Sequence, residues 1–422
     1  MGLLKGSAAY WKFAGTCTQC GHCTGACESL TAAGMSLGDI AKALLDAQRA
    51  SSTKEELAYA IATNGQLVQA VRGCFFCTSC KNTCFAHNDV CDLIYRARVD
   101  FQNLGLIPRE AWSSVLVDQE WDIFTAYRAI HGIGYVDLVR HKAYEGHEVE
   151  TGLTTAFFPG CSLAAYGPEL CREIFDEVDR LADGRATMID SCCGSSLKSA
   201  GFFDRAEALC DRNADELAAA GARELVCVCP GCANDMRKAL AARGLNVKVE
   251  LLAGWLAERG FAPKHPLPEG TICLSKSCQD RDGSYVDEVR AVLGLAGSAD
   301  AGEGAADGAD AGTDAAAPAR EVVIYRGCCG AGGAVSAFDP ARQAEQADGK
   351  LSFAPDGSTV VSMCPTCTYT YAYRLMEAPR AVTNKHYCEL LFDSQFDWDK
   401  TFAQLGGMWS GEYGPWLAQV FA

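Results

Sequence analysis

Twenty-four cysteines among 422 residues constrain this chain more than any other feature, because no intracellular protein needs that many thiols for packing alone. An extracellular disulfide framework and a set of metal centres are the two ways to account for them. The stretch from Met1 to Trp11, MGLLKGSAAYW, has neither the apolar core nor the cleavage site of a signal peptide. No stretch approaches the ~20 consecutive apolar residues that a membrane helix requires. The expectation is a cytoplasmic protein, in which thiols stay reduced and disulfide scaffolds are rare, so metal ligation leads. The 49% hydrophobic and 21% charged residues are those of an ordinary globular chain with roughly two to four domains. A net charge of -16 would repel a phosphate backbone, which argues against nucleic acid as a partner.

Spacing says which metal. Cys17, Cys20, Cys23 and Cys27 form C-x2-C-x2-C-x3-C, and Cys74, Cys77, Cys80 and Cys84 repeat it. This is the spacing of two-cluster ferredoxins, where three closely spaced thiolates hold one cubane and the fourth reaches the other. The expected sets are therefore crossed: Cys17, Cys20, Cys23 with Cys84, and Cys74, Cys77, Cys80 with Cys27. Zinc, the competing reading, favours two short pairs separated by a long gap and would make the chain an interaction protein. The usual proline after the fourth cysteine is replaced by Glu28 and Phe85, which alters an exit turn and removes no ligand. Between the motifs, Leu37, Ile40, Leu44 and Leu45 follow Ser36 at helical spacing, and Thr53 with Glu56 reads as a capping box before Leu57. Residues 1-148 are thus expected to form a mainly helical domain of the two-[4Fe-4S] ferredoxin type, with further helix between Arg96 and His147.

The remainder contains an internal repeat. Cys161, Cys192-Cys193-Gly194 and Cys229-x2-Cys232 correspond to Cys278, Cys328-Cys329-Gly330 and Cys364-x2-Cys367. One gap differs substantially, by 19 residues, and the excess falls where Ala296 to Ala319 is almost entirely Ala, Gly and Asp. Such a segment buries nothing and is expected to be a flexible surface loop. Val249-Glu250-Leu251-Leu252 and Cys388-Glu389-Leu390-Leu391 read as matching helix starts. Short runs rich in β-formers precede the cysteines: Thr154 to Phe158, Ala186 to Ile189, Glu224 to Val228, Thr271 to Leu274, Val322 to Tyr325 and Thr359 to Ser362. The pattern is α/β, so the cysteine loops would gather beyond the carboxyl ends of the strands. Pro230 and Pro365 occupy first helical positions, which puts Cys229 and Cys364 at helix N-termini, where thiolate is favoured.

Duplicated five-cysteine blocks with a Cys-Cys-Gly centre resemble the CCG domains of heterodisulfide reductase and its relatives. With a two-cubane domain in front, the order is similar to the D subunit of that enzyme. The resemblance implies a multidomain α+β protein: a helical ferredoxin-type domain (1-148), a first α/β CCG domain (149-265) and a second (266-422) carrying the loop 296-319. It implies that Cys161, Cys192, Cys193, Cys229 and Cys232 hold one noncubane [4Fe-4S] cluster, and Cys278, Cys328, Cys329, Cys364 and Cys367 another. These ten would be catalytic, reducing a disulfide or oxidising its thiols with electrons fed from two cubane clusters. The alternative is an electron-transfer subunit between a flavoprotein dehydrogenase of glycerol-3-phosphate, glycolate or lactate type and quinone. Relatives often have histidine beside the first cysteine of the second block, where this chain has Lys276-Ser277-Cys278-Gln279-Asp280. Lys276 is a candidate cation for an anionic substrate, or else a solvated loop lysine.

No dinucleotide fingerprint or phosphate loop is visible, so electrons must come from a partner: a flavoprotein, a ferredoxin or a cytochrome b membrane subunit. Through such a partner the chain could sit against the inner face of the membrane without a span of its own. Cys171, Cys210, Cys227, Cys273 and Cys388 read as packing residues, and so does Cys91. His22 and His87 flank cubane ligands and are candidates to hydrogen-bond cluster sulfur, or else surface histidines. Trp398, Trp409, Tyr413 and Trp416 are expected to pack on the second repeat rather than on a partner.

Overall fold

Helix signals in the N-terminal third set its architecture. Ser36 caps Leu37–Ala50 through a capping box with Asp39. Thr53 Oγ1 accepts from Glu56 N at 3.2 Å, but the Glu56 carboxylate turns to Ser52 N at 2.7 Å, so the expected box at Thr53 is only half formed. Lys54–Ala62, Gly65–Arg72 and Val90–Asn103 follow, and Ser7–Thr16 closes the bundle. Their apolar faces meet in a core that includes Tyr10, Ile40, Leu44, Leu57, Ile61, Leu67, Ile94 and Phe101. Buried Asp100 ties the chain start to this bundle, accepting from Tyr10 Oη and Lys5 N, each at 2.6 Å, and from Gly6 N at 3.0 Å. The computed structural model describes residues 2-107, 115-116, 121-280, 282-295, 300-301, 321-325 and 327-410. Beyond Asn103 a two-residue antiparallel pairing, Val115–Leu116 with Trp121–Asp122, precedes the helix Ile123–Ile130, whose Ala126 and Tyr127 enter the core of the next unit.

Two parallel sheets follow, one of four strands and one of four with a short fifth at its edge. The first contains β1 (Thr155–Phe158), β2 (Ala186–Met188), β3 (Glu224–Cys227) and β4 (Lys248–Leu251), in the order β2-β1-β3-β4. The second contains β5 (Ile272–Ser275), β6 (Val322–Tyr325), β7 (Thr359–Ser362) and β8 (Thr383–His386), in the order β6-β5-β7-β8. The two orders are the same permutation, and each unit places its first strand in the middle. β1, β5 and β7, which lie inside their sheets, are wholly buried because helices cover both sheet faces. Val249 to Leu251, expected to begin a helix, instead complete β4, and the helix starts at Leu252. Asp300–Ala301 pair with Val322–Val323 at the sheet edge; the rest of the expected loop 296-319 lies outside the described residues.

The two sheets share one core, in which Phe157, Val226 and Trp255 join Ile272, Leu274 and Val361. Helix Trp398–Ser410 lies against both units: Trp398 contacts Tyr369 and Phe396 of the second and Tyr166 of the first. The side chain of Trp409, and Tyr413 and Trp416, lie outside the described residues. Among the described residues, no helix is long and apolar enough to cross a membrane.

Candidate metal centres

None of the 24 cysteines, all within the described residues, takes part in a disulfide. In the N-terminal unit, Cys17, Cys20, Cys23 and Cys84 line one shallow hollow together with Gln19, Ser36 and Asn88. Gly38 leaves room at its wall, since a Cβ there would lie 2.9 Å from Cys17 Sγ. Cys20 is exposed, and its hydrogen bonds with the backbone and side chain of His22 bring its thiol down to about 7. Asn88 N donates to Cys84 Sγ at 3.3 Å. Cys27 is not among the residues lining this hollow: burial pushes its thiol up to about 11, and Cys74 and Cys77 lie close enough to add to the rise.

Cys74 is half-buried, and its thiol is raised by a hydrogen bond with Cys91 and by desolvation. Cys91 also reaches Cys80. The packing role expected for Cys91 therefore understates it, because its thiol lies between two cysteines of the motif. Its place at the start of a helix seven residues past Cys84 was the available sequence signal. His22 packs edge-on to Phe85, with ring centroids 4.6 Å apart. His87 adopts a left-handed φ of 53° in the turn that brings Asn88 to Cys84.

The α/β units build their sites from strand ends. In the first, Cys161 opens the helix Cys161–Tyr166 after Gly160, whose φ of 75° and missing side chain allow Cys232 in; a Cβ there would lie 3.3 Å from Cys232 Sγ. Cys232 Sγ lies 3.4 Å from Cys193 Sγ. In the second unit Cys367 Sγ is 3.1 Å from Cys329 Sγ, and Cys328 hydrogen-bonds both Cys278 and Cys329. The glycine of each Cys-Cys-Gly has φ 80°, and its N–H points at the first cysteine: Gly194 N to Cys192 Sγ and Gly330 N to Cys328 Sγ, both 3.4 Å. Cys229 and Cys364 are N-caps of Pro230–Ala242 and Pro365–Glu377, each with proline at the helix start. Hydrogen bonds from Cys232 and Cys364 hold the Cys229 thiol below its ordinary value, while Cys364 is raised by the same contact.

The units meet at these centres. Cys229 Sγ and Cys364 Sγ are 3.7 Å apart, and Asn234 Nδ2 donates to Gln279 O at 2.8 Å beside Cys278. Cys77 and Cys278 pack on the small cluster of Phe75, Cys328 and Val335, which joins the second N-terminal motif to the second α/β unit. Lys276 is half-buried, with its ammonium near Gly283 and Asp280. Among the other cysteines, Cys171, Cys227, Cys273 and Cys388 are fully buried, whereas Cys210 Sγ donates to Cys193 O at 3.2 Å and so supports a site cysteine rather than merely filling space.

Arg98 was not singled out by its sequence. It is buried, and its Nε donates to Val71 O at 3.0 Å, its Nη2 to Arg72 O at 2.9 Å and Cys74 O at 3.0 Å, and its Nη1 to Ser199 O at 2.7 Å and to Gly333 O. One side chain thereby ties the helical unit to both α/β units. The legible signal was a cation four residues after Ile94 on an otherwise apolar helix stripe.

Among the described residues, no three cysteine, histidine, aspartate or glutamate side chains converge as one ion would require. The thiols instead ring a hollow in the N-terminal unit and form linked sets in the α/β units, with backbone N–H groups aimed at sulfur. That donor set fits multi-iron clusters, in which each iron takes its own thiolate.

Residues 155-237 and 316-371 match the family model of the CCG cysteine-rich domain. No curated protein matches the chain. The first match contains all five cysteines of its block, and the second contains Cys328, Cys329, Cys364 and Cys367. The chain carries two CCG cysteine-rich domains, and with its 24 cysteines this supports an iron-sulfur protein with a role in electron transfer.

Proposed function

We propose that this chain is an iron-sulfur oxidoreductase of heterodisulfide reductase type, in which a ferredoxin-type N-terminal domain delivers electrons to two cysteine pentads acting on a disulfide or its thiols. The observation that carries the reading is the 3.7 Å approach of Cys229 and Cys364, by which two complete pentads share one boundary. Cys17, Cys20, Cys23 and Cys84 would hold one cubane cluster, and Cys74, Cys77, Cys80 and Cys27 the other. The pentads would hold noncubane [4Fe-4S] clusters. Bound clusters supply one-electron steps at potentials set by hydrogen bonds to sulfur and by burial.

The chain's own residues do the rest. Exposed Cys20 marks the end open to an external donor, a flavoprotein, a ferredoxin or a cytochrome b subunit. Phe75, Cys77, Cys278 and Cys328 hold the second motif against the second pentad. Gly160 keeps a side chain away from Cys232, and Gly194 and Gly330 direct N–H groups at sulfur. Cleaving a disulfide to two thiols takes two electrons and two protons, and paired centres on one boundary can serve the two sulfurs separately.

The test is anaerobic purification, iron and sulfide analysis, and electron paramagnetic resonance of the oxidised protein with and without added thiol. A new signal on thiol addition is expected. A spectrum indifferent to thiols would make the chain a relay between a flavoprotein dehydrogenase and quinone, and iron confined to the N-terminal motifs would reject both readings.

A further inference from the structure

The duplicated units are alike in strand order and cysteine placement but not in charge. Eighteen residues past the first cysteine of each pair stand Cys210 and Gln346, which donate to Cys193 O and Cys328 O. Four residues further on, the first unit has buried Ala214 and the second has Lys350, only 4% exposed. The Lys350 ammonium donates to Lys276 O at 2.9 Å and Gly327 O at 2.6 Å, clamping the two loops that carry Cys278 and Cys328. Among the described residues no carboxylate forms an ion pair with it.

Among the described residues, the other charges near the pentads largely cancel. In the first unit Asp235, three residues past Cys232, faces Lys198 at 3.8 Å, and its field acts on Cys193. The second unit has Thr370 and Ala334 at those positions. Lys276 and Asp280 flank Cys278 and oppose each other. Arg98 is shared, donating to Ser199 O of the first unit and Gly333 O of the second. Among the described residues, what remains beside the second pentad is one buried positive charge, that of Lys350, whose field acts on Cys329.

We infer that the two pentads are electrostatically unequal, and that the buried ammonium of Lys350 makes the second the more easily reduced. Reduction adds an electron to a buried centre, and a desolvated cation nearby stabilises that added charge more than it would in water. The second pentad, which also adjoins Cys77, is then the first of the two to accept an electron. The inference rests on the reading that both pentads hold iron-sulfur clusters.

It is tested by redox titration of the full-length loaded protein, monitored by electron paramagnetic resonance, with iron and sulfide determined on the same samples. Two pentad signals reduced at separate potentials are expected. Lys350→Met should lower the higher potential and leave the other in place, and Lys350→Arg should keep it, which a purely mechanical clamp would not require. Asp235→Asn should raise the lower potential, and Lys350→Gln, which removes the charge but keeps a hydrogen-bond donor, decides the matter if Lys350→Met fails to load. Full iron content with coincident potentials, or potentials indifferent to both charge changes, overturns the inference alone. Absence of pentad iron in the unaltered protein overturns the reading beneath it.

Discussion

Gly194 and Gly330 have a specific reason to follow a cysteine pair. At φ 80° each turns its N–H back to sulfur, and a Cβ would meet Ala206 O at 3.1 Å in one unit and Gln343 O at 2.9 Å in the other. Either Gly→Ala change is expected to cost at least about 1–2 kcal/mol from the left-handed backbone alone, measurable by denaturant unfolding. The crossed ligand sets proposed for the two N-terminal motifs make a second prediction at this scale. Cys84→Ser should abolish the same cubane signal as Cys17→Ser, and Cys27→Ser the same signal as Cys74→Ser, each with loss of about a quarter of the iron if four clusters are present. Pairing of Cys84→Ser with Cys74→Ser instead would show that each motif closes on its own cluster.

The helix Val90–Asn103 is the joint of the molecule, because Arg98 lies on its buried face. Burial lowers the guanidinium only to about 10, so it stays charged at neutral pH. Arg98→Met would strand carbonyls from three units, and a loss of at least about 3 kcal/mol is expected, with Arg98→Lys intermediate. Gly332 and Gly333 belong to the same joint: a Cβ at either would run into Phe75 O or Cys74 O. Between the α/β units, helix Ser284–Val292 packs on Leu252–Glu258, and Gly254 makes room for Glu288. Burial, with Asp280 and Glu250 nearby, raises Glu288 from 4.5 to about 7. The folded protein therefore holds a proton there that the unfolded chain has released. Stability should fall as pH rises from 4.5 to 7 and then level off. Glu288→Gln should remove that slope and stabilise the protein above pH 7 by roughly 1–3 kcal/mol, the range left after discounting for solvent. Thermal unfolding at pH 5 and pH 8 reads this directly, and a slope unchanged in Glu288→Gln would assign it to another group.

At the scale of the whole chain, the cysteine sets form a series from the exposed hollow at Cys20, through Cys77 and Cys278, to the boundary of Cys229 and Cys364. A series with one open end predicts that loss of the outermost set slows reduction by a protein donor more than reduction by a small reductant such as dithionite. Stopped-flow bleaching of Cys20→Ser with each donor would show this, and equal slowing would mean that electrons enter elsewhere. Much of this organisation was legible beforehand. The six expected strands lie within a residue or so of β1, β2, β3, β5, β6 and β7, because short apolar runs ending in cysteine loops are local signals. The edge strands β4 and β8 were missed because Lys248–Leu251 and Thr383–His386 mix polar and apolar residues and run directly into helices.

The order of residues along the chain determined what depends on nearest neighbours: cysteines at steps of three, prolines at helix starts, and a duplication visible as repeated gaps. Tertiary structure alone decided which cysteines meet, that Cys91 sits between Cys74 and Cys80, and that Arg98 and Lys350 are buried cations with no carboxylate partner among the described residues. The physical reason is range. Spacing controls the few ångströms a loop can span, whereas desolvation and through-space charge depend on residues that folding brings together from hundreds of positions apart, such as Arg98 and Gly333.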